Sequence, residues 1–190
     1  ILVYYGGAEG LSTARMDVRL GNEAYDFFGA AVDGAGDVNG DGYADVVVGA
    51  YGHNLAQGTG QAYVYHGGPS GLRASPAITF TGHRDDYLGY AVAGGRMNGD
   101  AYGDVLVGGS YDFDGRLSGL VRGYHGSSGG VQSTPAFSVT RAAGEFGAAV
   151  ALPGDLTGDG DNDAVIGAYA EESYAGAALL YPGGPAGLNS

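Results

Sequence analysis

The chain has 190 residues, of which 40 are Gly and 6 are Pro, a share of backbone punctuation at the edge of the low-complexity range; yet 44% of it is hydrophobic and 15 residues are Tyr, enough for a modest core. Its formal charge is −13 and its 8 basic residues are all Arg, which disfavours nucleic acid and anionic membrane surfaces and makes cations the natural complement. With no Cys, disulfides, thiolate catalysis and zinc ribbons drop out together, and no apolar run is long enough to span a membrane.

The chain opens on Ile1-Leu2-Val3-Tyr4-Tyr5, with neither an initiator Met nor a basic leader, and reads as a piece of a longer or processed protein. Ile1 to Tyr5 predicts a strand, followed by Gly6-Gly7 and a Gly10-Leu11 turn. Residues 1–20 then read as the outer strands of a preceding unit. A repeat begins at residue 21. Phe28-Gly29-Ala30-Ala31-Val32 predicts a first strand, an Asp-rich loop follows, and Asp45-Val46-Val47-Val48-Gly49-Ala50 predicts a second. Gln61 to His66 is the third strand, closed by Gly67-Gly68 and Gly71-Leu72, and Ala77 to Thr81 is the fourth.

The pattern recurs over residues 82–140, with Leu88-Gly89-Tyr90-Ala91-Val92, Asp104-Val105-Leu106-Val107-Gly108-Gly109 and Gly123-Tyr124-His125-Gly126. It returns, incomplete, over 141–190, with Phe146-Gly147-Ala148-Ala149-Val150, Asp163-Ala164-Val165-Ile166-Gly167-Ala168 and the strand Ala177 to Tyr181. Capped, helix-period stretches are absent. Four antiparallel strands per repeat with Gly-rich corners predict an all-β fold of β-propeller blades, about three of them in one array over 1–190. A sandwich would not need the repetition, and a parallel β-helix would have a shorter period. Propellers close with four to eight blades, so the array is either an excerpt of a larger ring or a part that copies of the chain complete head to tail.

The loop between the first two strands carries the chemistry. In the first unit Asp37, Asn39, Asp41 and Asp45 stand at loop positions 1, 3, 5 and 9, with Gly42 at position 6 and the Tyr43 carbonyl available at position 7. Ca²⁺ takes six to eight oxygens, and a tightly curled loop turns every second side chain inward. The opening half resembles an EF-hand, but Val48 stands at position 12 where that motif has Glu, so Asp45 must close the site. The third loop offers Asp155, Thr157, Asp159, the Asp161 carbonyl and Asp163 in the same register. The second loop has Arg96 in place of the first acid, followed by Asn98, Asp100, Tyr102 and Asp104. It is expected to hold no metal, with Arg96 as a substitute cation for the two carboxylates; the plainer alternative leaves Arg96 in solvent. A solvated hairpin turn explains one such loop, and recurrence in register argues against it.

No catalytic constellation emerges. His53, His66, His83 and His125 are dispersed, and His66 and His125 occupy a repeat position that Tyr5 and Pro182 fill in the other copies. Ser127-Ser128 lacks a nucleophile-elbow context, and Gly34-Ala35-Gly36 precedes no helix that could hold a phosphate.

Phe-Gly, then Asp-x-Asn-x-Asp-Gly-x-x-Asp, then Val-Val-Val-Gly-Ala together resemble the FG-GAP repeat, the blade unit of the propellers of integrin α chains and of many bacterial secreted or surface proteins. The resemblance covers nearly the whole chain; Gly-Ala-Pro stands as Gly49-Ala50-Tyr51, Gly108-Gly109-Ser110 and Gly167-Ala168-Tyr169, and the middle copy also has Leu88 for Phe. The lack of Cys fits a bacterial relative better than an animal integrin. The resemblance implies structural calcium loops on one face, a Phe-Gly strand lining the central channel, and ligands on the opposite face. There the loops entering the first strand carry Tyr25 and Tyr87, and those joining the second and third strands carry Tyr51 and His53, Tyr111 and Phe113, and Tyr174. It further implies a secreted or cell-surface, non-catalytic, calcium-binding module for adhesion or for a protein or carbohydrate ligand, with no nucleic acid and no membrane insertion. An accessory domain of a larger secreted hydrolase or lyase is the alternative from another class, and a lectin is a third.

Overall fold

The computed structural model describes residues 1–113, 116–142 and 144–189, without the side chains of Arg15, Tyr111, Asp112, Phe113, Arg116, Leu117 and Ser173. Its described strands form four antiparallel sheets taken in chain order. The first pairs β1 (Leu2–Gly7) with β2 (Gly10–Val18). The second runs β3 (Ala31–Gly36), β4 (Asp45–Ala50), β5 (Gln61–Tyr65) and β6 (Ile78–Thr81), each strand beside the next. The third repeats this with β7 (Leu88–Gly95), β8 (Asp104–Phe113), β9 (Arg116–Tyr124) and β10 (Phe137–Arg141). The fourth has β11 (Phe146–Gly154), β12 (Asp163–Ala168) and β13 (Ala177–Tyr181). This is the all-β blade architecture that the repeat implied.

The sheets stack face to face, and the Val-rich strands show why. Side chains alternate across a strand, so one buried on both faces needs an unbroken apolar run. On β4, Val48 packs with Tyr63, Tyr65, Val3 and Phe28 toward the first sheet, while Val47 packs with Val64, Val105 and Val107 toward the third. On β8, Val105 and Val107 face back toward β4, and Leu106 faces forward into a cluster with Phe146, Ala164 and Ile166. Phe80 of β6 stacks on Tyr124 of β9 with ring centroids 3.8 Å apart.

The repeat position shared by Tyr5, His66 and His125 is an inter-sheet contact. The Tyr5 hydroxyl accepts the Leu72 N–H at 2.8 Å, in the turn that ends the next unit's third strand. A Cβ on Gly71 would strike Tyr5 and one on Gly187 would strike His125, while one on Gly130 would rest against His66 at 3.4 Å. These histidines are therefore spacers between blades, which accounts for their dispersal in sequence.

Three local expectations need correction. In the first unit the strand begins at Ala31 and not at Phe28; the same left-handed turn enters all three units, at Phe27 and Gly29, Tyr87 and Gly89, and Glu145 and Gly147, but only Leu88 and Phe146 pair across it with the second strand, to Gly109 and Ala168. Residues 111–113, expected in a loop, extend β8, with Tyr111 paired to Ser118 and Phe113 to Arg116. A single helical turn, α1 (Glu171–Tyr174), lies between β12 and β13, where no helix was expected; the Gly176 N–H closes it on the Glu171 carbonyl. Among the described residues no helix is long and apolar enough to cross a membrane.

Candidate metal centres and the opposite face

In an antiparallel meander the β3–β4 loop and the segment after β5 share one end of the sheet. The ninth-position acid ties them together. Asp45 is 1% exposed, its Oδ2 accepting the Val38 N–H and its Oδ1 the Gly67 N–H, both at 2.8 Å. Asp104 repeats this with Met97 and Gly126, and Asp163 with Leu156, Thr157 and Gly183. Each carboxylate is thus a structural staple first. Asp45 keeps a free lone pair on each oxygen, which is what a cation in the loop would use.

The rest of the first loop curls around Asp37. Its Oδ1 accepts the Gly40 and Asp41 N–H groups and its Oδ2 the Gly42 N–H, while Gly40 (φ 75°) and Gly42 (φ 86°) supply the left-handed turns. Asn39 and Asp41 are held within the same loop, the Asn39 amide donating to Asp41 Oδ2 at 3.0 Å and the Tyr43 N–H to Asp41 Oδ1 at 3.0 Å. The third loop has the same frame. Asp155 accepts from Gly158 and Gly160, Asp159 from the Asp161 N–H, and both glycines have positive φ. Thr157 follows Leu156 at position 3 and touches Asp163 through its backbone N–H. A donor set of carboxylates, an amide or hydroxyl oxygen and a carbonyl, preassembled on a curled backbone, is suited to a hard cation.

The second loop is different in two ways. Ala101 stands where the other loops have a positive-φ glycine, and Arg96 does not bridge the carboxylates as expected. The Arg96 Nη2 donates to the Ala101 carbonyl at 3.4 Å. Asp100 instead meets the Asn98 amide at 2.9 Å and the Tyr102 N–H at 2.8 Å. An exposed guanidinium gains little from an ion pair in water, and the nearest carbonyl suffices.

Protonation in these loops follows from burial and N–H donors. Burial pushes the Asp45 and Asp104 carboxyls above their ordinary 3.8, against the pull of the N–H groups they accept. At Asp163 the Gly183 N–H prevails and holds the carboxyl lower, and at Asp37 the Gly42 N–H does the same. A raised carboxyl contributes stability that is complete below 3.8 and lost as pH rises through its folded value; a lowered one contributes stability above 3.8 that is lost as pH falls. In chelator, the penalty of Asp104→Asn is therefore expected to shrink as pH rises above 3.8, whereas that of Asp163→Asn grows as pH rises toward it, read by urea melts across the acid range.

At the other end of the sheets the loop entering each first strand turns one acid inward, buried at Asp26 and Glu145 and partly buried at Asp86. Asp26 is 2% exposed; its Oδ2 accepts the Glu23 N–H at 3.0 Å, and its Oδ1 lies 3.3 Å from His53 Nδ1. Glu23, Asp26 and His53 bring their ligand atoms within 4.8 Å of one another. The equivalent Asp86 is held by Arg122 at 2.8 Å, while the third unit has Gly144 at that position and the next residue, Glu145, meets the Ser110 hydroxyl at 3.5 Å. These acids are a feature that sequence reasoning missed. Asp26 and Asp86 each stand three residues ahead of the Phe-Gly or Leu-Gly glycine, which was the available signal.

The aromatic candidates on this end divide. Tyr25 and Tyr174 are exposed. Tyr51 lies in a row, stacked on Phe27 at 5.1 Å and tilted against Tyr90 at 5.1 Å. Tyr90 of the Leu-Gly strand and Tyr169 of the loop after β12 line a cavity of about 430 Å³ with Ala148, Ala149, Ala168 and Ala177. Tyr87 packs instead over Gly58 of the preceding unit, its N–H on the Gly58 carbonyl at 2.7 Å. The side chains of Tyr111 and Phe113 lie outside the described residues.

The FG-GAP repeat family model matches residues 28–65. The chain is 31% identical to chicken (Gallus gallus) integrin alpha-V over 93% of its own length and 17% of that protein's. It is 32% identical to Xenopus laevis integrin alpha-4 over 80% of its length and 15% of that protein's, and 31% identical to human integrin alpha-6 over 71% and 12%. The chain thus spans less than a fifth of the length of these relatives.

Proposed function

We propose that this chain, which carries the FG-GAP repeat and is homologous to integrin α chains, is a non-catalytic, calcium-stabilised propeller module of a secreted or cell-surface protein that binds a protein or glycan ligand. Its first loop, through Asp37, Asn39, Asp41, the Tyr43 carbonyl and Asp45, and its third, through Asp155, Thr157, Asp159, the Asp161 carbonyl and Asp163, each take one Ca²⁺, whose role is to hold the loop frame. The second loop, with Asn98, Asp100, Tyr102 and Asp104, takes none. The supporting observation for ligand binding is the row Phe27, Tyr51 and Tyr90 leading to the cavity beside Tyr169, on the end of the sheets away from the Asp-rich loops. Aromatic side chains on a rigid sheet end offer large contact area at low entropic loss.

The test is a panel of immobilised glycans and extracellular-matrix peptides, probed with wild type and Tyr51→Ala. Binding weakened about tenfold or more by Tyr51→Ala, as for an interface anchor, is the expected result. A ligand bound equally well by both proteins would place the binding surface elsewhere.

A further inference from the structure

We infer that Asn98 is a site of spontaneous deamidation, and that its counterpart Asn39 is protected from the same reaction by Asp37. The chain has Asn-Gly at loop position 3 twice, Asn39-Gly40 and Asn98-Gly99. Deamidation is attack by the following backbone nitrogen on the Asn side-chain carbonyl, and a following glycine, without a Cβ, leaves that nitrogen accessible. Both side chains make the same contact two residues ahead in the loop. Asn39 Oδ1 accepts the Asp41 N–H at 2.9 Å and Asn98 Oδ1 the Asp100 N–H at 3.3 Å, contacts that polarise the carbonyl to be attacked.

The two sites differ in what holds the nucleophile and the leaving group. The Gly40 N–H donates to Asp37 Oδ1 at 2.7 Å, a charge-assisted bond that must break before the nitrogen can attack. The Asn39 amide nitrogen is held by both Asp41 and His66, at 3.0 and 3.2 Å. In the second loop Arg96 stands where Asp37 would. The exposed Gly99 N–H has no acceptor among the described residues, and the Asn98 amide nitrogen is held by Asp100 alone.

In the reaction the Gly99 nitrogen bonds to Asn98 Cγ, the Cγ–Nδ2 bond breaks, and ammonia leaves with the proton from the Gly99 nitrogen. Water then opens the cyclic imide to Asp or to its β-linked isomer. An acid at position 98 gives this loop three carboxylates, as in its neighbours. That consequence, unlike the reaction itself, rests on the calcium reading above.

The experiment ages the whole chain at mildly alkaline pH in chelator, with peptide mass spectrometry and isoaspartate detection at each Asn. Because the rates are read without calcium, their outcome is independent of whether the loops bind it. Asn98 is expected to convert about tenfold or more faster than Asn39, the factor that one hydrogen bond to a charged acceptor represents. Asp37→Ala should bring Asn39 toward the rate of Asn98, and Arg96→Asp should slow Asn98. In strong urea the two should convert alike, since the difference belongs to the fold. Equal rates in the folded chain, a ratio that persists in urea, or rates that neither variant moves would each overturn the inference.

Discussion

Gly89→Ala is expected to cost about 4 kcal/mol of folding stability, as the sum of a strained left-handed backbone and an overpacked contact, each of roughly 1–3 kcal/mol. Gly89 has φ 89°, and its counterparts Gly29 and Gly147 have φ 90° and 87°. A Cβ on Gly89 would lie 2.0 Å from the Gln61 carbonyl oxygen of the neighbouring sheet. The facing residue, Gly49 in the Val-Val-Val-Gly-Ala run, is equally constrained, with its Cβ 2.0 Å from the Gly89 carbonyl oxygen. Gly108 and Gly147 make the same contact one sheet further on, at 2.1 Å. The two glycines of the repeat signature are therefore halves of one backbone-to-backbone contact between successive blades, and neither neighbour can yield as a flexible side chain would. Urea denaturation of Gly89→Ala and of Gly6→Ala checks this. Gly6 has open space around it and no positive φ, so its substitution should stay within about 0.5 kcal/mol. Equal small effects at both positions would refute the contact as a source of stability.

This contact also explains how much of the fold was legible in the sequence. The repeated glycines, the β-branched runs and the Asp-rich loops recur because each meets the same neighbour in each blade, so one unit's constraint is written again at a fixed spacing. Blade architecture and loop register could be read for that reason. What could not be read lies where the copies differ. The inward-turned acid of the entering loop is Asp26 beside His53, Asp86 beside Arg122 and, one position later in the repeat, Glu145 beside Ser110, and the partners come from different strands and loops, 27 to 36 residues away. Periodicity carries no information about such pairs. The Arg96 side chain likewise settled on a local carbonyl, a choice among nearby acceptors that residue type does not decide. The aromatic row from Phe27 to Tyr90 crosses from one unit to the next, and only the stacking of sheets brings it together.

The second large effect is expected from calcium. A cation that binds only the folded loops stabilises by mass action, about 1.4 kcal/mol at tenfold and 2.7 kcal/mol at a hundredfold excess over its dissociation constant. With affinities in the weak extracellular range, about 10⁻⁴–10⁻³ M, about 10 mM calcium supplies such an excess. The first and third loops belong to different sheets and share no hydrogen bond, so their contributions should add, to about 3–5 kcal/mol and on the order of 10 °C in Tm. Asp41→Ala and Asp159→Ala should each remove roughly half of the calcium-dependent rise, and the double variant nearly all of it. Both acids hold only the backbone N–H or side-chain amide of their own loop, so chelator-treated variants should stay close to chelator-treated wild type. That separation matters, because removing Asp45 or Asp163 would also break a staple to the turn after the third strand and would lower stability with or without metal. In the second loop, Arg96→Asp with Ala101→Gly supplies both the missing acid and the missing left-handed glycine, and should raise the calcium stoichiometry from two to three. A melting temperature indifferent to millimolar calcium and to chelator would refute the metal assignment and leave the loops as purely hydrogen-bonded turns.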